Sequence, residues 1–199
     1  MWAVSSGKGG VGKTFICSSL GITLAKLKYK VLLIDFDITG ANLHTVFGID
    51  PSDKNITSYL DNTQKIGNLI EQTVVPKLSI IQGFWSGWKN SDITTEQINN
   101  LMSEVKTLQY DYVIFDLAAG FDACKIQILS AADEKIIVSN PEPTCIEKNY
   151  RLIESYICDG LKREASAENK LLIETAFLDY RRIHKNGQFS FHDFLKQKM

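Results

Sequence analysis

The sequence predicts an α/β fold, in which a mainly parallel, twisted sheet carries helices on both faces. Short apolar runs alternate along the chain with segments of helical periodicity, a pattern typical of parallel sheets covered by helices. A glycine-rich loop joins the first apolar run to the first helical segment. Two later runs end in aspartates, Asp35 and Asp116. Ligands bind beyond the carboxyl ends of strands in such sheets, so a site is expected at this edge.

The predicted elements follow one another in a regular order. Apolar runs that read as strands lie at 2–4, 30–35, 78–82, 112–116 and 135–139. Segments that read as helices lie at 15–28, 94–108, 144–157 and 171–183. After Gly160 a charged stretch precedes the last helix, and no further buried strand follows. We expect a sheet of about five strands in a single domain over residues 1–199, with a helical C-terminal segment from residue 158.

Size and composition narrow the class of protein. The 199 residues are 44% hydrophobic and 23% charged, with a net charge of -1, which suits a soluble domain with a real core. No apolar stretch approaches the ~20 residues of a membrane span and no signal peptide opens the chain, so we expect a cytoplasmic protein. The near-neutral charge argues against nucleic acid as a partner. The four cysteines form no C-x-x-C pair and are expected to be free thiols.

The glycine-rich loop predicts a phosphate site. Gly7, Gly12, Lys13 and Thr14 fill G-x-x-x-x-G-K-[ST], the P-loop pattern, whose backbone N–H groups wrap a phosphate chain. Lys13 would neutralise the β- and γ-phosphates, and the Thr14 hydroxyl would hold Mg²⁺. The helix after the loop would point its positive end at the phosphates. A simple glycine-rich turn is disfavoured because a strand precedes the loop and a helix follows it. The sequence therefore predicts a P-loop NTPase fold.

Three aspartates fit the rest of a nucleotide site. Asp116 follows four apolar residues, as a Walker B aspartate does, and would bind Mg²⁺ through water; a solvated carboxylate is the alternative. Asp35 and Asp37 lie on one side of an extended segment. Asp35 suits the outer shell of Mg²⁺, and Asp37, further into the loop, suits the attacking water. The alternative for Asp37 is a turn carboxylate that stabilises residues 39–40.

Lys8 is a second lysine in the loop, where an ordinary phosphate-binding loop needs none. Two lysines in one loop repel each other unless a polyanion joins them. Such a cation can also be directed at the nucleotide of a neighbouring subunit, where it contributes ~10³–10⁵ in rate by offsetting transition-state charge. A solvated lysine is the alternative.

Several segments together resemble one family. Residues 8–14 look like the deviant Walker A loop of the MinD/ParA family. Residues 35–43 are similar to the family's switch I, and residues 111–120 are similar to its Walker B and switch II. Residues 141–144, with residues 149–151 (Asn149, Tyr150 and Arg151) behind them, resemble the motif after the strand in the FlhG/FleN (YlxH) flagellar branch.

This resemblance covers residues 3–157 and implies ATP and Mg²⁺ as cofactors. Lys8 would reach across an ATP-bound homodimer, and Asp37 would position water, so that Lys8, Lys13 and Asp37 form the catalytic set. Slow hydrolysis, stimulated by a protein activator or cargo adaptor, would reset a switch that positions cargo, with flagellar number or placement as the expected role. The expected nucleotide-binding residues are Gly9, Gly10, Val11, Gly12, Lys13, Thr14, Phe15 and Pro141. The expected metal-binding residues are Thr14, Asp35 and Asp116.

Departures from the family leave more than one function open. Phe15 replaces the family's second threonine, and relatives continue for about another third of their length. That part carries an adenine-binding asparagine and, in some, a membrane-binding helix. We expect either a chain truncated at its C-terminal side or a degenerate nucleotide-binding module without turnover. An Mrp-like iron–sulfur scaffold and a DNA-partition ATPase are two further candidate functions. The aromatic segment at 189–195 favours a docked helix over a membrane anchor, and peripheral attachment to the inner face of the membrane stays an alternative.

Overall fold

The computed structural model describes residues 1–37, 40–83 and 93–183. The strands are β1 (Trp2–Ser5), β2 (Val31–Phe36), β3 (Glu71–Gln72), β4 (Leu78–Ile81), β5 (Tyr112–Leu117) and β6 (Glu134–Ile137). The α-helices are α1 (Lys13–Lys26), α2 (Leu43–Val46), α3 (Ile56–Leu60), α4 (Thr95–Thr107), α5 (Ala123–Ala131), α6 (Pro143–Glu164) and α7 (Ala167–Ile183), with one 3-10 turn at Ile66–Leu69. None of the helices in the described ranges combines the length and the mean hydropathy that crossing a bilayer requires.

The described strands form one sheet in the order β3-β4-β2-β5-β1-β6. Every neighbouring pair is parallel except β3 with β4, which is antiparallel. Strand β1 lies between β5 and β6, so the loop that leaves β1 emerges in the middle of the carboxyl edge. The predicted α/β fold with a mainly parallel sheet is confirmed.

Side chains of the central strands are buried on both faces of the sheet. In β2, Val31 and Leu33 pack in the core that includes residues of α1, whereas Leu32 and Ile34 pack in the core that includes α4 and α5. A strand covered on both faces reads as a continuous apolar run, which explains why these strands were recognisable. Helix α1 approaches the sheet closely, because a Cβ added at Gly21 would lie 2.8 Å from the Leu33 side chain.

The structure corrects several predicted elements. Within the described residues the sheet has six strands rather than about five, because the two-residue β3 joins its edge without an apolar pattern. Helix α5 was missed since six of its nine residues are buried and its sequence has no polar face. Helix α6 continues through Gly160 to Glu164, where the sequence suggested a change of pattern. The aromatic segment at 189–195 lies outside the described residues.

Candidate functional site

The predicted site residues meet at the carboxyl edge of the sheet. Asp35 of β2 lies opposite Asp116 of β5 in the strand register, and Asp116 lies opposite Val4 of β1. The glycine-rich loop leaves β1 beside them and enters α1 at Lys13. The two carboxylates and the start of the phosphate-binding loop therefore share one side of the molecule, as the sequence predicts.

The loop has the backbone conformation that its glycines allow. Gly10 and Gly12 adopt φ angles of 75° and 96°, in the left-handed region that favours glycine. Gly12 caps α1, and its carbonyl accepts the backbone N–H of Ile16 at 3.0 Å. The first turn of α1 contains no acidic side chain. Its free N–H groups and positive dipole end can therefore face an anion.

Lys13 is held in the site as a largely buried cation. The residue is only 9% exposed, and burial is the main cause that lowers the pKa of its ammonium group. The charges of Asp116 and Asp37 act in the opposite direction and raise this pKa. When no anion is bound, the positive charge of Lys13 is therefore offset by the negative charges of these two carboxylates. A phosphate chain would supply the missing negative charge.

Asp116 has the features of a metal-binding carboxylate. Burial raises its pKa to about 7, and a hydrogen bond from the side chain of Thr14 opposes that shift. Among the described residues, no hydrogen-bond partner reaches its buried Oδ1 atom. A buried carboxylate oxygen without a donor is costly unless a cation meets it. The pair of Asp116 and Thr14 therefore fits a magnesium ion held by oxygen ligands.

Asp35 organises the loop that follows β2. Its Oδ1 accepts the backbone N–H of Asp37 at 3.0 Å, and its Oδ2 accepts those of Asn42 and Leu43, each at 3.0 Å. The residue is 1% exposed, and burial raises its pKa to about 6 despite these bonds. Sequence reasoning assigned Asp35 to the metal's outer shell and missed this anchoring role. Asp35 as a metal ligand stays a prediction.

Asp37 is the first residue after β2, in the loop that Asp35 holds through hydrogen bonds. Its negative charge changes the pKa of neighbouring groups in the site. Its charge raises the pKa of both Lys13 and Asp116. A Cβ added at Gly40 would lie 3.6 Å from the Asp37 Oδ1 atom, so Gly40 lies close to this carboxylate. Residues 38 and 39 of the predicted switch I lie outside the described residues. The water-positioning role of Asp37 stays a prediction.

Lys8 contacts residues of its own chain. Its Nζ atom donates to the Glu142 carboxylate and, at 3.1 Å, to the Thr144 hydroxyl at the start of α6. The Lys8 ammonium lowers the pKa of Glu142 below its ordinary value. Sequence reasoning missed this pair, although Glu142 and Thr144 both belong to the segment that carried the flagellar resemblance.

Asn149 is a further site residue whose role the sequence did not reveal. Its Oδ1 accepts the backbone N–H of Gly7 at 2.6 Å, and its Nδ2 donates to the Val138 carbonyl at 3.1 Å. The side chain thereby ties the start of the loop to the segment after β6. A polar residue on the buried face of the predicted helix 144–157 was the available signal.

Two predicted nucleotide-binding side chains lie at the surface. Phe15 is 71% exposed, and Pro141 is exposed in the bend before α6. Neither position conflicts with contact to a nucleotide at this edge. Their assignment stays a prediction, as does that of Gly9, Gly10 and Val11.

Replacing Gly7 by alanine is expected to destabilise the folded protein. A Cβ at this position would lie 2.3 Å from the backbone carbon and oxygen of Lys148 and 2.7 Å from the backbone nitrogen of Asn149. Backbone atoms cannot move aside as a flexible side chain can, so we expect a loss of about 2 kcal/mol in the free energy of unfolding. Urea unfolding followed by circular dichroism measures this loss.

The matched control is Gly160→Ala in the interior of α6, where an added Cβ meets nothing within 4 Å. That variant should be more stable than the wild type, by about 0.5–1 kcal/mol. Equal stability of the two variants would contradict the close approach of α6 to the loop.

Replacing Asp116 by asparagine is expected to stabilise the nucleotide-free protein at pH 8. The folded-state pKa of about 7 lies above the ordinary value of 3.8, so ionisation opposes folding increasingly as the pH rises between these values. Asparagine removes this penalty, and the free energy of unfolding should rise by up to about 4 kcal/mol at pH 8 and change little at pH 4. Thermal and urea unfolding at both pH values measure the effect.

The exposed Asp61, replaced by asparagine, serves as the control for the loss of an acidic side chain. A less stable Asp116→Asn protein at pH 8 would mean that the carboxylate is a stabilising group rather than a metal ligand.

Comparison with known proteins places this geometry in a family. The AAA domain model matches residues 1–158. The flagellum site-determining protein YlxH of Helicobacter pylori is 34% identical over 160 residues, which cover 76% of this chain and 52% of that protein.

Two solved structures are also similar to the chain. The septum site-determining protein MinD of Pyrococcus horikoshii, complexed with Mg-ADP, superposes with a TM-score of 0.68 at 27% identity, covering 77% of this chain and 63% of that one. The MinC:MinD cell division protein complex of Aquifex aeolicus gives a TM-score of 0.68 at 30% identity, covering 82% of this chain and 64% of that one.

The chain spans only part of the length of these proteins. Across eight curated relatives, it covers from 48% to 66% of the relative's own sequence. The part that the family model matches contains the phosphate-binding loop, Asp35, Asp116 and Asn149. By this match and by its similarity to MinD proteins, the chain belongs to the MinD/ParA family of P-loop ATPases.

Proposed function

We propose that this chain binds Mg-ATP at residues 7–14 and hydrolyses it slowly. The observation that carries the proposal is the buried Oδ1 of Asp116, which has no donor among the described residues and lies on the carboxylate that Thr14 contacts. A structure of MinD from P. horikoshii in complex with Mg-ADP supports the choice of ligand. Bound Mg²⁺ would offset the charge that the phosphates carry during transfer to water.

The residues of the chain have distinct parts in the proposed reaction. The loop backbone and the start of α1 bind the phosphate oxygens. The phosphates then offset the positive charge of Lys13, which Asp37 and Asp116 offset in the nucleotide-free protein. Thr14 and Asp116 would hold the metal. Asp37, released from its interaction with Lys13, orients the attacking water.

We propose further that ATP joins two copies of the chain through Lys8. The Lys8 side chain is 31% exposed and its partner Glu142 is 53% exposed, so their ion pair is screened by water and contributes little to stability. Exchange of Glu142 for a phosphate chain held by a second copy is therefore feasible. The cation would then offset charge that develops on the partner's nucleotide.

Sedimentation velocity with Mg-ATP and Mg-ADP tests this step. The wild type should form a dimer with Mg-ATP and remain a monomer with Mg-ADP. Lys8→Ala should remain a monomer with both nucleotides while still binding them in calorimetry. The control Lys26→Ala, at the other end of α1, should behave as the wild type does. A Lys8→Ala dimer with Mg-ATP would contradict the role of Lys8.

The proposed dimer acts as a switch that positions a cellular structure. Similarity to YlxH and the segment 141–144 support flagellar number or placement, and the names of the MinD relatives support division-site placement as a second candidate. The solved MinC:MinD complex supports a protein partner. Deleting the gene should alter flagellar number or position. A displaced division septum with normal flagella would favour the second candidate.

A further inference from the structure

Lys125 is a buried cation that the proposed reaction leaves unused. It lies in the first turn of α5 and is 4% exposed. A positive charge at this end of a helix opposes the helix dipole, and a buried ammonium group loses its hydration. The helix dipole and the loss of hydration therefore both disfavour a lysine at this position. Its presence suggests a role that its contacts define.

The Lys125 ammonium group holds the loop that follows β5. Its Nζ donates to the Ala119 carbonyl at 2.7 Å and forms an ion pair with Asp122 Oδ2 at 2.5 Å. Asp122 also caps α5 by accepting the backbone N–H of Lys125 at 3.2 Å. At Gly120, whose φ is +112°, an added Cβ would lie 3.4 Å from the same Nζ. Residues 119–122 are thus wrapped around one buried charge.

The same loop is attached to the phosphate-binding loop. The backbone N–H of Gly120 donates to the Ser6 carbonyl at 2.9 Å, and the Ser6 hydroxyl donates to the Lys8 carbonyl at 2.6 Å. A Cβ added at Gly9 would lie 4.0 Å from the Cβ of Ala119, so the two loops are in contact there. Lys125 is also close enough for its charge to lower the pKa of Lys13, after the larger effect of burial.

We propose that Lys125 is a positioning residue that clamps residues 118–122 against the phosphate-binding loop and so shapes the side of the site that receives the γ-phosphate. The clamped loop begins two residues after Asp116. Thr14 and Asp116 would hold Mg²⁺, which would offset charge on the phosphate that is transferred, so we expect this loop beside the γ-phosphate. The inference rests on the proposed Mg-ATP site for its effect on nucleotide binding, but the clamp itself exists without nucleotide.

The first test measures the clamp in nucleotide-free protein. Lys125→Met retains the apolar stem of the side chain and removes the charge, whereas Lys125→Arg retains a cation. Hydrogen–deuterium exchange of peptides that contain Gly120 should be at least about tenfold faster in Lys125→Met. Exchange in β5 and α4 should not change, and Lys125→Arg should restore protection. Unchanged exchange at Gly120 in Lys125→Met would overturn the clamp, whether or not the chain binds nucleotide.

The second test compares two nucleotides by calorimetry. Lys125→Met should bind a non-hydrolysable ATP analogue about tenfold more weakly and ADP within about twofold of the wild type, because only the first carries a γ-phosphate. An equal loss for both nucleotides would reduce Lys125 to a general structural role and overturn the proposal. If the wild type binds neither nucleotide, the proposed function fails, while the exchange experiment still decides the clamp.

Lys135→Met is the matched control. Lys135 also donates from Nζ to a carbonyl of a nearby residue, Ala132, at 2.8 Å, but it lies at the amino end of β6, at the opposite edge of the sheet. This variant should leave both the exchange at Gly120 and the two affinities unchanged. Faster exchange at Gly120 in Lys135→Met would mean that loss of any lysine loosens the loop, which would overturn the assignment to Lys125.

Discussion

Replacing Lys13 by alanine is expected to abolish binding of Mg-ATP and Mg-ADP, with affinities weakened at least about a hundredfold. The ammonium group is 9% exposed, so its interaction with phosphate is weakly screened by water. Loss of a buried charge-assisted contact of this kind costs about 3 kcal/mol or more. Isothermal titration calorimetry with both nucleotides measures the loss. Unchanged affinity would disprove the assignment of the site.

The Lys13 variant should remain folded, which separates loss of binding from loss of structure. Burial lowers the pKa of Lys13, so the charged form is held at a net cost in the nucleotide-free protein. Removing the charge should therefore leave the melting temperature unchanged or raise it. Lys13→Met, which keeps the apolar stem in place, is the second variant in case alanine leaves a cavity. The control Lys26→Ala, in the last turn of α1, should bind both nucleotides normally.

The parts of the fold that the sequence predicted are those with a strong local pattern. Strands β2, β4 and β5 are buried on both faces, so they appear as apolar runs between polar turns. The glycines of the phosphate-binding loop mark positive φ angles at Gly10 and Gly12, which few other residues adopt. These signals act over a few residues and need no knowledge of the rest of the chain.

The missed elements lack such a pattern for identifiable reasons. Helix α5 is enclosed by neighbours, so its apolar residues do not alternate with a polar face. Strand β3 contains two residues, of which one is half-buried and one exposed, and it pairs with β4 at the edge of the sheet. The conformation of both elements depends on the residues that surround them in the fold. The intrinsic secondary-structure propensity of their own residues is then a weak guide.

The site contacts that sequence reasoning missed join distant parts of the chain. Asn149 binds the backbone of Gly7 across 142 positions, and Lys8 meets Glu142 across 134. Asp35 was recognised as a strand-terminal carboxylate, but its three bonds to backbone N–H groups depend on how the following loop folds back. The sequence therefore predicted that Asp35 and the phosphate-binding loop lie at one edge of the sheet, whereas the contacts that these residues make required the tertiary structure.

Replacing Asp37 by alanine is expected to separate ATP binding from hydrolysis. If Asp37 positions the attacking water, its removal should slow hydrolysis about a hundredfold or more and leave ATP affinity within a few-fold of the wild type. Under the proposed mechanism the dimer is reset by hydrolysis, so this variant should accumulate as a dimer with Mg-ATP. Phosphate release assays and multi-angle light scattering measure the two effects.

Asp37 also raises the pKa of Lys13, so its loss could act on binding rather than on water. Two results distinguish these routes. If Asp37 only compensates Lys13, its removal leaves the ammonium group short of negative charge, and ATP affinity should rise while hydrolysis continues at the wild-type rate. If it positions water, Asp37→Asn should also fail to hydrolyse ATP, because it keeps the shape of the side chain but not the carboxylate charge. The exposed Asp61→Ala is the control for loss of an acidic residue. A monomeric Asp37→Ala protein with Mg-ATP present, or one that hydrolyses ATP normally, would contradict the water-positioning role and return Asp37 to the turn carboxylate that the sequence offered as its alternative.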